Sequence, residues 1–146
     1  MTPKPRPPSN GADKEDWPAV LSYWRTIAAE AFDDGRRAQV AECISRISST
    51  SPEWQAAING DAAVAAGLVL RLEPPPRISG GVDLVMTILL NTAFGDAGAA
   101  LVLAHGLRKM PLDPRLRARL ATSWLVHNVW LKHRNRRSGA SNRGDQ

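Results

Sequence analysis

The 146-residue chain is 43% apolar and 23% charged, with a formal net charge of +5. That length and apolar share fit one folded domain with a real core, and they exclude wholesale disorder. A single cysteine, Cys43, excludes an intramolecular disulfide and a cysteine-based metal cluster.

The N-terminal stretch MTPKPRPPSNGADKED is proline-rich and polar. It lacks the apolar segment of a secretory signal and reads as a disordered arm over residues 1–13. Helix signals follow. Asp16 caps and Pro18 opens a first predicted helix that runs to Phe32, with Val20, Trp24, Ile27 and Ala31 on one face. Asp33-Asp34-Gly35 breaks it. A second is predicted from Arg36 to Ser48, striped by Val40, Ile44 and Ile47. Cys43 falls on the same buried side, as a small apolar residue rather than a nucleophile. Ser51-Pro52-Glu53 starts a short third helix that ends at Asn59-Gly60.

Asp61 caps a fourth helix, Ala62 to Leu72, stopped by Pro74-Pro75-Pro76. Ser79-Gly80-Gly81 reads as a turn, because the lysine and the preceding strand of a phosphate loop are missing. The fifth helix, Val82 to Phe94, is apolar almost all round. The sixth runs from Ala97 to Lys109 and begins with small residues. Leu84 to Ala104 is interrupted by Asn91, Gly95, Asp96 and Gly98, so it parses as a helical hairpin and not as a membrane span. Asp113 caps and Pro114 opens the last helix, predicted to reach Asn135, with a disordered basic tail over 136–146.

Gly60-Asp61-Ala62 and Gly95-Asp96-Ala97 lie 35 residues apart, each opening an alanine-rich helix, with Ala65 and Ala100 five positions past the glycine. The spacing resembles that of a tetratricopeptide unit, although Ile88 stands where that pattern has glycine. The resemblance implies stacked helical hairpins. The predicted fold is therefore all-α: six to seven stacked antiparallel helices, a hairpin array or compact bundle, over residues 14–135.

Function rests on charge and on the last helix. Residues 106–146 carry ten Lys/Arg against Asp113 and Asp145, while the rest of the chain is acidic on balance. Such asymmetry favours an anionic contact. On the last helix Leu116, Leu120, Trp124, His127 and Leu131 form one stripe, and Leu125, Val126, Val129 and Trp130 fill much of the opposite side. Arg117, Asn128 and Lys132 share the polar remainder. This pattern predicts a cytoplasmic, non-enzymatic interaction protein, an adaptor or regulatory subunit that meets a protein partner through Trp124, Trp130, Arg117 and Lys132. The alternative is nonspecific nucleic-acid binding by Arg115, Arg119, Arg134, Arg136 and Arg137, which requires a continuous basic patch. Contact with a membrane surface is a third use of the same residues. No catalytic, cofactor-binding or metal-ligating residue is assigned, since His105, His127 and His133 do not share a helix face.

Overall fold

The computed structural model describes residues 19–47, 51–72 and 77–144, with side chains through Arg136. The expected arm, the Asp16 cap and the proline stop at 74–76 lie outside those residues. The architecture is all-α, with no strand among the described residues. The elements are α1 (Tyr23–Thr26), a 3-10 turn (Ala29–Ala31), α2 (Asp34–Ser45), α3 (Pro52–Ile58), α4 (Ala62–Leu70), α5 (Gly80–Ala93), α6 (Ala97–Arg108) and α7 (Pro114–Gly144).

Local capping chemistry sets most of these boundaries. Asp33, Ser51, Asp61 and Asp96 each accept a hydrogen bond from the backbone N–H three residues on, satisfying donors that the helix itself leaves open. Asp61 also closes the preceding helix: its N–H bonds to the Ala56 carbonyl and that of Gly60 to the Ala57 carbonyl. Gly60 makes this reversal possible by adopting φ +104°, which residues with a Cβ resist. The Gly-Asp-Ala echo is thus a repeated helix start, and both Ala65 and Ala100 are buried.

Several helix boundaries differ from the sequence reading. The predicted helix from Pro18 to Phe32 is broken, because Ile27 and Ala28 are extended and only a 3-10 turn follows. The break is held from outside: the Ala29 N–H bonds to Ser123 Oγ on α7, 94 positions away. Ala31, expected on the apolar face, is exposed as a result. Ser79-Gly80-Gly81 is not a free turn either. Ser79 Oγ accepts from the Val82 N–H, and α5 starts at Gly80. At the other end, α7 continues in backbone to Gly144, past the expected boundary at Asn135. The expected tail falls, beyond Arg136, outside the described side chains.

The core lies between α4, α5, α6 and α7, with α6 packed against the other three. Met86, Leu89, Leu90, Leu103, Leu107, Leu120 and Trp124 are fully buried there. Gly106 lets α6 approach α4 and α5: a Cβ at that position would stand 3.1 Å from Val69 Cγ1. Gly67 in α4 has open space where its Cβ would go. Gly67→Ala is therefore expected to raise stability by about 0.5–1 kcal/mol, through reduced unfolded-chain freedom and better helix propensity. Gly106→Ala should forfeit that gain to crowding, and urea titration of the two variants compares them directly.

The N-terminal segment is stapled onto this core. Asp83, in the first turn of α5, accepts from Trp24 Nε1 at 2.8 Å and from Arg25 Nε at 3.0 Å. Thr87 Oγ1 donates to the Leu21 carbonyl. Cys43 is buried in α2, and desolvation raises its thiol pKa above the ordinary value while Arg46 acts the opposite way. A thiol so placed carries little thiolate, which fits a packing role.

Candidate functional site

The last helix has two faces of different character. Leu120, Ala121, Trp124, Asn128 and Leu131 are buried against α6 and the 3-10 turn. Asn128 Nδ2 donates to the Ala97 carbonyl, and Arg117 Nη1 donates to the Met110 carbonyl. The expected polar strip of Arg117, Asn128 and Lys132 is thereby divided. Asn128 is internal, Arg117 is half-buried and engaged, and Lys132 is exposed. The opposite face is apolar and open to solvent: Val126 is 63%, Val129 64% and Trp130 53% exposed.

The two indoles of the helix therefore separate. Trp124 is fully buried and packs edge-on against Phe32 and His127, so it is withdrawn from the partner face expected for it. Its Nε1 has no acceptor among the described residues. Trp130 stays outside. Its ring stacks on His127 with centroids 5.6 Å apart, and the Arg134 guanidinium lies 5.5 Å from the centroid. His127 is in turn fixed by a hydrogen bond of 2.8 Å from Nε2 to the Phe94 carbonyl, and by ring contacts to Phe94 and Trp124. A chain of rings thus runs from the interior to one presented indole. Trp130 is thus held against His127 and Arg134 although half its surface is open.

Trp130 stands between two grooves. One, about 690 Å³, lies between α7 and the 3-10 turn and is lined by Ala29, Glu30, Arg119, Ser123, Val126 and His127 among others. The second, about 530 Å³, is formed by Leu125, Val126, Val129, Trp130 and His133. Sequence reading missed the first groove, because its far wall comes from residues 29–30 and no local pattern links them to α7.

Glu30, Ser123 and His127 meet in that groove, a trio of types that hydrolases use. Ser123 and His127 are both engaged with backbone groups. The Ser123 hydroxyl donates to the Leu120 carbonyl and accepts from the Ala29 N–H, while His127 Nε2 faces the Phe94 carbonyl. Through Ser123, α7 is tied to the 3-10 turn. Asp96 caps α6 and His105 is exposed on that helix. Among the described residues, no three His, Cys, Asp or Glu side chains gather to hold a metal ion.

Among the described residues, the cations of α7 do not form one continuous patch. Arg115 and Arg119 are exposed at one end of the apolar face, and Lys132, Arg134 and Arg136 at the other. Arg137 lies beyond the described side chains. From Arg119 to Lys132 is about 20 Å along the helix at 1.5 Å per residue, and the exposed positions between them are Thr122, Val126, Val129 and Trp130, none of them charged. Among the described residues, no helix is long and apolar enough to cross a membrane.

No known protein family, curated protein or solved structure matches the chain. The functional reading therefore rests on this surface alone.

Proposed function

We propose that this chain is a non-enzymatic interaction protein, an adaptor or regulatory subunit, that meets a protein partner through the outer face of α7. One observation carries the reading. Val126, Val129 and Trp130 are more than half exposed on a helix whose other side is core, and grooves flank the indole. Contiguous exposed apolar surface rimmed by charge is the mark of an interaction site. A Trp held by neighbouring rings is the kind of anchor that dominates binding energy. Trp124 plays the opposite part: it supports the platform from beneath. Lys132 belongs to the rim, and Arg117 secures the start of the helix.

The test is site-specific photo-crosslinking in the cells that make the protein. A benzophenone side chain at Val129 should yield a defined protein adduct. The same probe at Ala41, exposed on α2, should yield none. Trp130→Ala should abolish the adduct while changing folding stability by no more than about 0.5 kcal/mol, as exposed positions do. Equal labelling from both probe positions would sink the reading.

A further inference from the structure

The chemistry of the partner can be narrowed, and the narrowing rests on the interaction reading above. We infer that α7 receives an amphipathic helix of another protein, one whose apolar anchors are bracketed by acidic residues.

Charge supplies the first argument. Residues 114–136 of α7 contain no Asp or Glu, and Arg115, Arg119, Lys132, Arg134 and Arg136 stand on either side of the apolar centre. A ligand covering Val126, Val129 and Trp130 brings its flanks against cations at both ends. Complementary acids there steer encounter and set register.

The same pattern disfavours a second copy. A two-fold interface brings identical surfaces together. An antiparallel pair crossing near Val126 would set Arg119 near Arg134 of the other copy, and a parallel pair would set each cation near itself. Residues 114–136 of α7 offer no acid to relieve either arrangement.

Shape supplies the second argument. The groove of about 690 Å³ beside Trp130 is walled on its far side by Ala29 and Glu30. A partner side chain can enter it, whereas a bilayer surface cannot follow its contour, and Glu30 on the wall would face anionic headgroups. Nucleic acid fits less well again, because phosphates would cross the uncharged centre where Val126 and Val129 are exposed. The cations are about 20 Å apart, some four helical turns, so the complementary acids fall near the two ends of a four-turn partner helix.

The experiment reads the identity of the Val129 photo-adduct by mass spectrometry of the crosslinked peptide. It then repeats the crosslink with Arg119→Glu and Lys132→Glu combined, both of them exposed positions. The expected adduct is a segment of another protein with helical apolar spacing and Asp or Glu on both sides. Its yield should fall about tenfold on charge reversal, the factor that 1.4 kcal/mol represents. Lysines introduced at the partner's acids should restore it. Circular dichroism of the double variant confirms that the fold is kept.

A protein adduct that lacks acidic flanks, or that ignores the reversal, overturns this inference and leaves the interaction reading standing. An adduct with a second copy or with residues 1–18 of the same chain overturns the inference. Lipid or nucleic acid as the adduct, or no specific adduct at all, overturns both.

Discussion

Replacing Trp124 with alanine is expected to remove about 3–5 kcal/mol of folding stability, a large part of what a domain this size holds. The indole is fully buried and touches two rings, Phe32 after the 3-10 turn and His127 one helical turn away, each of which in turn meets the ring of Phe94. Truncation would leave a cavity under the helix that carries the outer face. Trp124→Phe should cost far less, about 1–2 kcal/mol, because the Nε1–H it removes has no acceptor among the described residues. Urea titration followed by circular dichroism measures both. Equal losses for the two variants would mean that the buried N–H is satisfied in solution. The Ala variant should also weaken partner capture indirectly, since His127 loses one of the surfaces that keeps Trp130 in place.

The second large effect is expected at Asp83. Asp83→Ala should cost about 2–4 kcal/mol, since it leaves the indole N–H of a fully buried Trp24 without an acceptor and frees the Arg25 guanidinium that the carboxylate also holds. Asp83→Asn keeps one acceptor oxygen and should fall between. A double-mutant cycle with Trp24→Phe isolates the indole share, for which a coupling of about 1 kcal/mol is expected. Loss confined to the N-terminal segment, visible as faster hydrogen exchange over residues 19–32 alone, would show that the segment docks without being required by the core.

These two sites illustrate what a sequence of this kind discloses. The starts of α3, α4 and α7 were legible because Ser51-Pro52, Asp61 and Asp113-Pro114 write capping chemistry into adjacent residues. The all-α class followed from those signals together with the helical spacing between them. Other features depend on distant partners. The break at Ile27 answers to Ser123, and the role of Asp83 answers to Trp24, 59 positions earlier. On α7 the apolar residues nearly encircle the helix, so periodicity named two faces without saying which met the core. Burial of Trp124 and exposure of Trp130 decide it. The charge asymmetry was equally visible, but the division of its arginines into two groups separated by Val126, Val129 and Trp130 emerges only once the outer face is known.

The walls of the larger groove come from widely separated stretches of chain: residues 29 and 30 on one side, residues 118 to 130 on the other. During synthesis the first wall is made long before the second. Until α7 has left the ribosome, Ala29 lacks the hydroxyl of Ser123 that holds the break beside it, and the groove has no second side. The groove is therefore complete only once α7 has packed against the 3-10 turn. A nascent chain, or one halted within α7, would expose unpacked helices while offering no finished platform.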